Sequence, residues 1–598
     1  MIEKPVIVDH LFGDIDLPEN GYAWHKKRWT GVHHYGRKSP LNPRPGEDVE
    51  LLVSTSSEYP VDRVLAWFSV DEWATRVELE FSRADLHWET PRWGWLQEWI
   101  GRLPAQVQGT MLRYKVAAHL TGSESWVFAD KQADSFTSGT HYAIWYEVDK
   151  LPAWARQARV YQVFPDRFNP GEGREWTQTD DLMQPCGGTL RGVTQKLDHI
   201  QSLGFNAIWL TPIFASPTHH GYDISDYYQI NPRLGTDQDF NDLVSRMHEK
   251  GMRLVIDFVA NHCSDQLPQF KDACLNQGSP YHDWFTWKHW PVEYKCFYEV
   301  QSMPEFDLGY GKPARAYMLE CARYWLERGV DGFRLDYAHG PAQDFWVDFR
   351  RVCRQINPDC WMFGEIIQPA DAVAGFAGGL DGSLDFHLCQ AIRLTFAQQT
   401  WPLSRLAGFL QARQVYFEKD FSLPAFIDNH DMNRFLVPAL GDERLLKMAL
   451  MVLYALPGPP IVYYGTEVAL SQNRSIHSGG GLGFDEARLP MDWRKNSDLS
   501  AYLSRLATIR EDHPEIIEGK INLLLCDDLK QVLVLCIGSG ETSLYLLVNL
   551  SPGIQTILLN NIQENLLKDG ITGKVVKVNQ GSLSISIEPV HSMLLFPS

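Results

Sequence analysis

Carboxylate side chains lie at or just after the ends of several short apolar runs in the middle of this sequence. RLVIDFV contains Asp257, GFRLD ends in Asp336, CWMFGE ends in Glu365, and PAFID is followed by NHD, which ends in Asp431. Each acid alone has an ordinary explanation, because an aspartate that follows a strand is frequently a helix N-cap. Several carboxylates at one site are unfavourable unless they perform a function or bind a metal. If the runs are parallel strands, their ends meet and the acids form one reactive centre.

Two of these acids have the surroundings that cleavage of a glycosidic bond requires. Arg334 lies two positions before Asp336, so both side chains point to the same side of a strand, and the guanidinium favours an ionised nucleophile. Glu365 follows Trp361 and Phe363, and desolvation there raises the pKa of a general acid. Adjacent strand ends can hold two carboxyls about 5–5.5 Å apart, the separation found in retaining glycosidases. The pattern therefore indicates double displacement, with Asp336 as nucleophile and Glu365 as acid and base.

Alternating apolar runs and amphipathic segments predict a (β/α)8 barrel that brings these acids together. The predicted strands are 158–164, 205–211, 253–259, 332–336, 360–365, 382–386, 424–428 and 460–465. Predicted helices between them include 190–204, 237–251 and 311–329. The barrel is expected to span residues 151–498, with a short excursion at about 262–310, because that gap is too long for a simple loop.

The flanking regions predict two β-domains, so the fold class is multidomain α/β: a TIM barrel with an N-terminal β-sandwich and a C-terminal antiparallel β-domain. In residues 1–150, segments 49–57, 63–70, 76–83 and 113–120 are rich in β-branched and aromatic residues, as in a sandwich. In residues 499–598 a helix precedes alternating β-rich sequence. The N-terminal region is rich in tryptophan, and most of these rings are expected to pack in the core: Trp24, Trp29, Trp67, Trp73, Trp88, Trp93, Trp95 and Trp99.

The composition of the chain limits the classes of binding partner and the cellular compartment that we expect for this protein. The 598-residue chain has a formal net charge of −19, which repels nucleic acid and anionic membranes. No apolar stretch reaches the roughly 18 residues of a membrane span, and the start of the sequence lacks a secretory signal. The ten cysteines form no CxxC pair and are expected to be buried reduced thiols. We therefore expect a cytoplasmic protein without nucleic-acid or membrane partners.

Taken together, the segments resemble the alpha-amylase family of glycoside hydrolases over about residues 155–495. LVIDFVANH is similar to the first conserved region of that family, GVDGFRLD to the second, FGE to the third and FIDNHD to the fourth. GFNAIWLTPIF, HGYDISDYYQINPRLGT and GPPIVYYGTE match as well. The resemblance implies a barrel enzyme that cleaves α-glucosidic bonds.

The resemblance also implies a role for each matching residue. Asp336 is implied to be the nucleophile, Glu365 the acid/base, and Asp431 the group that holds the sugar's 2- and 3-hydroxyls and stabilises the transition state. Asp257 and Asn261 are implied to be structural. Further residues in or beside the substrate-binding site are implied to be Tyr222, Asp223, His262, Arg334, His339, Asn429 and His430.

Two segments resemble one branch of the family more closely. VYQVFPDRF (160–168) and MPEFD (303–307) are similar to segments of the neopullulanase, cyclomaltodextrinase and maltogenic amylase group, with maltodextrin glucosidases as near relatives. The resemblance implies an oligosaccharide substrate, either a maltodextrin or a cyclodextrin, with α-1,4 and possible α-1,6 cleavage. It also implies a possible homodimer formed through the N-terminal domain.

The sequence departs from the family at two places. The pair three and four residues after the nucleophile, which lines the leaving-group subsites in the family, is His339–Gly340, and a glycine there is expected to leave space. The loop NPGEGREW (169–176) and Thr189 stand where many members have calcium-binding carboxylates. Calcium requires 6–8 oxygen ligands, so we expect neither a metal at this loop nor another cofactor.

Other functions are compatible with parts of this pattern. A transglycosylase or isomerase of the same family would use the same acids and differ in how it binds an acceptor. A non-catalytic relative, such as the amylase-like ectodomain of transporter heavy chains, would lack an intact acid set and carry a membrane span. A glucan-binding module would depend on the N-terminal domain and would not need the acids.

Overall fold

A computed structural model describes residues 21–148, 151–478, 483–539 and 542–598. Within these ranges no helix combines the length and apolar character needed to cross a bilayer. The α-helices are α1 Gly21–Trp29, α2 Ala153–Arg156, α3 Pro165–Phe168, α4 Leu190–Gln195, α5 Leu197–Ser202, α6 Asp237–Glu249, α7 Pro268–Leu275, α8 Pro313–Glu327, α9 Gln343–Ile356, α10 Ala370–Ala374, α11 Phe386–Ile392, α12 Leu403–Tyr416, α13 Glu443–Ala455, α14 Leu499–Asp512 and α15 Glu515–Glu518.

The N-terminal region forms two antiparallel sheets packed face to face, which confirms the predicted sandwich. Its strands are β1 Val32–His33, β2 Lys38–Ser39, β3 Val49–Ser56, β4 Val61–Ser69, β5 Val77–Glu80, β6 Ser82–Glu89, β7 Gly94–Leu103, β8 Met111–Leu120, β9 Trp126–Phe128 and β10 Tyr142–Trp145. One sheet has the order β1-β3-β7-β6 with β2 on β3, and the other β10-β8-β4-β5 with β9 on β8. Val53 and Trp99 of the first sheet meet Val64 and Tyr114 of the second in one core.

The prediction that the tryptophans of this region lie mostly in the core is wrong. Of the seven tryptophans named above whose side chains the structure describes, only Trp99 is buried. Three are half-buried and three are exposed: Trp29, Trp67 and Trp73, and Trp88, Trp93 and Trp95 respectively. Trp88 and Trp95 face each other on the paired strands β6 and β7, and Trp93 lies in the turn between these strands. All three rings are exposed at this hairpin. The side chain of Trp24 lies outside the described residues.

Seven parallel strands form the centre of the molecule in the order β20-β19-β18-β15-β12-β11-β21, and helices alternate with them along the chain. The strands in this region are β11 Val160–Val163, β12 Ala207–Leu210, β13 Phe214–Ala215, β14 Asp226–Ile230, β15 Arg253–Phe258, β16 Trp287–His289, β17 Glu293–Tyr294, β18 Gly332–Leu335, β19 Trp361–Gly364, β20 Gly382–Ser383 and β21 Ile461–Tyr463.

The predicted strand 424–428 is not a continuous strand, although the segment that contains it closes the barrel. Parallel bridges join Gly382 to Ser422 and Ala425 to Pro460, so residues 422–425 lie between β20 and β21. The segment includes Pro424 and faces Pro459 and Pro460. Proline cannot donate to a ladder, and here these three prolines accept hydrogen bonds from the neighbouring backbone. The seam therefore has separate bridges in place of a ladder.

The helices that follow the strands begin and end where local chemistry requires. In α6 the Thr236 and Asp239 side chains form a capping box, and the helix buries Phe240, Leu243 and Met247 against the sheet. The predicted helix 190–204 is divided into α4 and α5 at Lys196, which has non-helical backbone angles. Both helices still bury an apolar face on the barrel.

The excursion after β15 contains α7, the short hairpin β16–β17 and two 3₁₀ turns, His282–Trp284 and Phe297–Glu299. It is joined back to the end of β15 by a bridge between His262 and Glu305. Part of the catalytic mouth is therefore built from this excursion.

The C-terminal region is antiparallel, as predicted. Its six-stranded sheet has the order β22-β23-β24-β29-β26-β27, and β25 pairs with β28. Alternate residues of β23 belong to two cores: Leu533 and Leu535 join the core of the barrel, and Val534 faces the pair β25–β28. The strands are β22 Lys520–Asp527, β23 Val532–Ser539, β24 Thr542–Asn549, β25 Gln555–Leu559, β26 Leu566–Asp569, β27 Val575–Lys577, β28 Leu583–Ile587 and β29 His591–Pro597.

Candidate active site

A single guanidinium contacts three of the predicted carboxylates. Arg334 lies on β18, in register with Asp257 of β15, and its side chain is fully buried. Its Nη1 donates hydrogen bonds of 2.8 Å to both Asp257 Oδ1 and Asp336 Oδ1, and its Nη2 lies 2.8 Å from Glu365 Oε1. The ends of three neighbouring strands thus present their acids to one fixed positive charge.

The two carboxyls predicted to do the chemistry are buried beside each other. Backbone hydrogen bonds from Asp336 N to Phe258 O and from Glu365 N to Leu335 O continue the parallel ladder up to both residues. The Tyr337 amide donates to Glu365 Oε2 at 3.1 Å. Burial raises the pKa of Glu365 although Arg334 acts against the shift, and burial together with repulsion from Glu365 raises the pKa of Asp336. The site therefore favours a state in which the two carboxyls share one proton.

Asp431 has a different electrostatic environment. Its Oδ1 accepts a 2.8 Å hydrogen bond from Arg488 Nη2, and its Oδ2 lies 3.0 Å from His430 Nε2. Burial by itself would raise the pKa of Asp431, but the neighbouring His430, Arg488 and Arg334 lower it overall. Asp431 is accordingly the carboxylate that stays ionised most readily.

Tyr222 connects the two groups of acids. Its hydroxyl donates to Asp257 Oδ2 at 2.9 Å and lies 2.5 Å from His430 Nε2. The other nitrogen of that imidazole, Nδ1, lies 2.8 Å from the side-chain nitrogen of Gln162 on β11. Burial lowers the pKa of His430 to about 3, so the ring is neutral at physiological pH. In a neutral imidazole one nitrogen donates a hydrogen bond and the other accepts one. Here Nδ1 accepts from Gln162, and Nε2 is the donor.

His262 and His339 lie where the excursion meets the ends of β15 and β18. His262 is buried and its ring is stacked on Phe297 with 4.3 Å between centroids. His339 lies 4.1 Å from the ring of Tyr337. Burial lowers the pKa of His262 to about 3 and that of His339 to about 4. Among the described residues neither His262 Nε2 nor His339 Nδ1 has a hydrogen-bond partner, and both atoms are buried.

Asp223 and Asn429 make contacts of their own within the protein. The Asp223 carboxylate accepts hydrogen bonds from the hydroxyls of Ser216 and Thr218, so it fixes the loop that carries Tyr222. Asn429 Oδ1 accepts from the Asp431 amide at 2.9 Å, and its Nδ2 has no partner within the described ranges. A direct contact of either residue with the sugar remains a prediction.

The expectation that Gly340 leaves space beside the leaving-group subsites is wrong. A Cβ added at Gly340 would lie 2.2 Å from Asn261 Oδ1 and 2.7 Å from Tyr337 Cδ1. The volume beside residue 340 is thus already filled by those two side chains. The bulk that faces the cleft here belongs to Tyr337, the residue directly after the nucleophile.

Sequence reasoning missed three residues that fix the acids. Gln162 holds His430, Trp209 donates from Nε1 to Asp257 Oδ2 at 3.2 Å, and Arg488 holds Asp431. Gln162 and Trp209 lie on predicted strands, and a polar side chain in an otherwise apolar barrel strand is a usable signal. Arg488 lies in an irregular segment after β21, where nothing in the sequence marks it.

Within the described ranges no group of three or more His, Cys, Asp and Glu side chains is arranged to hold a metal ion. The four carboxylates of the mouth are instead paired with two guanidinium groups, those of Arg334 and Arg488. All ten cysteines are free, six of them buried.

The family model described as "Alpha amylase, catalytic domain" matches residues 162–513, more than half of the chain. This chain belongs to the alpha-amylase family. The matched range begins in β11 and ends just after α14, so it covers the barrel and each of the acids described above. As a member of this family the chain is a glycoside hydrolase.

Individual proteins agree with this assignment. The chain is 32% identical over 446 residues to alpha-amylase 2 of Dictyoglomus thermophilum, covering 74% of this chain and 78% of that protein. It is 30% identical over 478 residues to neopullulanase 2 of Thermoactinomyces vulgaris, covering 75% and 79%. A solved cyclomaltodextrinase superposes with a TM-score of 0.70 over 94% of this chain and 99% of that one, at 24% identity. The last similarity concerns the fold, and it includes the β-domains on both sides of the barrel.

Proposed function

We propose that this alpha-amylase family member is a retaining hydrolase of maltodextrins or cyclodextrins. It cleaves the α-1,4 bonds of these substrates, and α-1,6 bonds are a possible second target. The observation that carries the proposal is the contact of Arg334 with both Asp336 and Glu365 at 2.8 Å. One buried guanidinium holds both carboxyls at one place in the mouth, and closely spaced carboxyls are the arrangement of retaining enzymes, whereas inverting enzymes hold them further apart.

In the first step a lone pair of the Asp336 carboxylate forms a bond to the anomeric carbon. The bond from that carbon to the glycosidic oxygen breaks, and the oxygen takes the proton of Glu365. Arg334 donates to Asp336 and favours its anion before the attack, so the shared proton is on Glu365. The positive charge that develops on the sugar ring in the transition state stabilises the Asp336 anion further. In the second step Glu365 removes a proton from water, and the water oxygen replaces Asp336 at the anomeric carbon.

Asp431 supports both steps through the sugar hydroxyls. It is the carboxylate with the lowered pKa and lies beside the neutral His430. Hydrogen bonds to the hydroxyl of the second carbon strengthen as the ring flattens towards the transition state. Tyr222, fixed through Asp257, offers its ring to the same sugar.

The direct test is incubation of the purified protein with maltotriose, maltoheptaose, β-cyclodextrin, pullulan and starch, followed by chromatography of the products. The anomer released first is identified by proton magnetic resonance before mutarotation, and retention predicts the α-anomer. Asp336→Asn is the control. Absence of cleavage of every substrate, a β-anomer as first product, or full activity of the Asp336→Asn protein would contradict the proposal.

Transglycosylation is the second candidate, and the aromatic lining around Tyr337 and Phe297 favours it because a ring-lined subsite can bind an acceptor sugar in place of water. The same assay with excess glucose distinguishes the two reactions. With isotopically labelled glucose as the acceptor, label recovered in an oligosaccharide indicates transfer, and label that remains only in glucose indicates hydrolysis.

We further propose that the chain forms a homodimer through its N-terminal domain. The support is an exposed group of rings, Trp88, Trp93 and Trp95, on the hairpin that ends the first N-terminal sheet. Exposed contiguous aromatic surface of this kind marks association sites. Light scattering after size exclusion should give twice the chain mass for the wild type and for Leu529→Ala, an exposed control in the C-terminal region, but a reduced mass for Trp93→Ala.

Two further assignments complete the proposal. The division into domains at 1–150, 151–498 and 499–598 is supported by the separate sheets and by the start of α14 at Leu499, and limited proteolysis tests it. A cytoplasmic location is supported by the free thiols, and cell fractionation tests it.

A further inference from the structure

The ring of Tyr310, at the end of the excursion after β15, lies against the N-terminal domain. It is stacked on His141 with 4.7 Å between centroids, and the guanidinium carbon of Arg113 lies 4.7 Å from the ring centroid. The Tyr310 hydroxyl donates to Glu72 Oε2 at 2.6 Å, and the same oxygen accepts from Arg113 Nε at 2.7 Å. Three side chains of the sandwich thus contact one ring of the barrel domain.

The part of the sandwich that contacts this ring is itself fixed to the barrel. Arg113 is buried on β8, and its Nη2 donates to both oxygens of Asp348 on α9, at 3.0 and 3.2 Å. Asp348 also accepts from Arg315 on α8, and Arg315 Nη1 donates to Leu308 O at 3.1 Å. Separation of such a buried pair is costly, because each charge loses a partner away from water. The ring of Tyr310 therefore packs on a rigid support.

The segment of the excursion just before this ring builds part of the catalytic mouth. Residues 304–306 pair with residues 261–263 at the end of β15 through hydrogen bonds donated by the amides of Cys263 and Phe306, each 3.0 Å long. His262, which is implied to contact the sugar, lies in the middle of the paired segment. Only three residues separate Phe306 from the tyrosine, so a displacement of its ring also displaces the backbone partner of His262.

We propose that Tyr310 is a positioning residue, through which the N-terminal domain holds the excursion where the reaction requires it. The inference rests on the proposed function. It gives the sandwich a role in catalysis within its own chain, and this role uses the sheet that contains β8, whereas Trp88 and Trp95 lie on the other sheet. Loss of the contact should loosen the pairing of residues 304–306 and leave β18 and β19 unchanged.

Amide hydrogen exchange tests the local effect. In Tyr310→Ala the amides of Cys263 and Phe306 should exchange roughly 10-fold faster than in the wild type, because the pairing opens more readily. The amides of Asp336 and Glu365 bond to the backbone of β15 and β18, and they should keep their wild-type rates.

Kinetics on maltotriose test the consequence for the reaction. Tyr310→Ala should lower kcat/KM roughly 5- to 10-fold, because His262 is then less well placed. Tyr310→Phe, which keeps the ring, should remain within about twofold of the wild type. His141→Ala removes the stacked partner in the other domain, and its combination with Tyr310→Ala should be no worse than Tyr310→Ala alone, since both act through one contact. Tyr416→Ala, which removes a half-exposed ring at the end of α12, is the control and should change neither exchange nor kinetics.

Three outcomes would overturn the inference. Equal acceleration of exchange at all four amides would show that the substitution lowers the stability of the whole barrel. Unchanged exchange at Cys263 and Phe306 would show that the ring does not hold the segment, and additive losses in the double variant would show that His141 and Tyr310 act separately. If the wild type cleaves none of the substrates named above, the proposed function itself fails, and the exchange rates still distinguish that result from an effect of Tyr310.

Discussion

Tyr222 and His430 lie with their ring planes 5° apart, and the tyrosine hydroxyl is 2.5 Å from the imidazole Nε2. The same hydroxyl donates to Asp257, which binds Arg334. One tyrosine thus couples His430 to the guanidinium that contacts both Asp336 and Glu365.

Substitution of Tyr222 should therefore affect catalysis in two ways, through Asp257 and Arg334 and through loss of its own ring. Tyr222→Phe keeps the ring but leaves the buried Asp257 short of one donor, and we expect kcat to fall on the order of 10-fold. Tyr222→Ala also removes the ring that faces the sugar, and kcat/KM should fall by a further order of magnitude or more. Steady-state kinetics on maltotriose measure both effects, and equal activity of the two variants would contradict the separation of roles.

Asp336→Asn should abolish turnover and at the same time stabilise the protein. Loss of the nucleophile is expected to lower kcat on the order of 10⁴-fold. Burial and repulsion from Glu365 raise the pKa of Asp336 in the fold. A carboxyl with a raised folded pKa contributes stability below its unfolded pKa and loses that contribution as pH rises through the folded pKa.

The Tm of the Asn variant should accordingly exceed that of the wild type at pH 8, by roughly 2 °C or more. The difference should shrink at about pH 3, below the pKa of an unfolded aspartate, where the wild-type carboxyl is mostly protonated in both states. Differential scanning calorimetry at the two pH values measures this. A variant less stable than the wild type at pH 8 would show that the contact with Arg334 outweighs the burial of the charge.

The basic limb of the pH–rate profile should report the proton of Glu365. Burial raises the pKa of this group, so activity on maltotriose should persist well above the usual pKa of a glutamic acid and fall when the proton is lost. Glu365→Gln should lower the rate on maltotriose about 10²- to 10⁴-fold. The first step on α-maltosyl fluoride should be affected far less, since fluoride leaves without a proton, and its burst should lose the basic limb. A basic limb that survives in the Gln variant would assign it to another group.

Arg488 should prove to be a positioning residue that acts through Asp431. With its guanidinium removed in Arg488→Met, the pKa of Asp431 rises, because Arg488 is one of the charges that lower it. The acid limb of the pH–rate profile should then move to higher pH, and kcat/KM should fall on the order of 10- to 100-fold. Arg488→Lys keeps the charge and should restore the position of the acid limb, which a purely structural role for Arg488 would not predict.

Gly340→Ala tests the packing beside the nucleophile. The added Cβ must displace Asn261 or the ring of Tyr337, and Tyr337 binds Glu365 through its backbone. We expect a loss of about 1–3 kcal/mol in unfolding free energy together with lower activity on maltotriose. Gly553→Ala, where a Cβ meets no atom within 4 Å, is the control. Equal behaviour of the two variants would show that the mouth adapts without cost.

The sequence was sufficient to predict the barrel, both β-domains and the acids at the strand ends, because strand periodicity and a residue's place after a strand are local properties. The contact of Arg334 with Glu365 could not be predicted from the sequence, because it depends on how β18 and β19 align. Arg488 was missed for a similar reason: 57 residues of chain and a whole βα unit separate it from Asp431. The volume beside Gly340 could not be predicted either, because it is filled by a residue from the preceding strand.

The segment 422–425 between β20 and β21 leads into Asp428–Asp431 and contains Pro424, which cannot donate a backbone hydrogen bond. Its ties to the two strands are separate bridges in place of a continuous ladder, and short runs of bonds open at a lower free energy than long ones. Amide protons at Ser422 and Ala425 should consequently exchange with solvent sooner than those of β15 or β18. Asp431 would then follow a segment that opens more readily than the strands that carry Asp336 and Glu365.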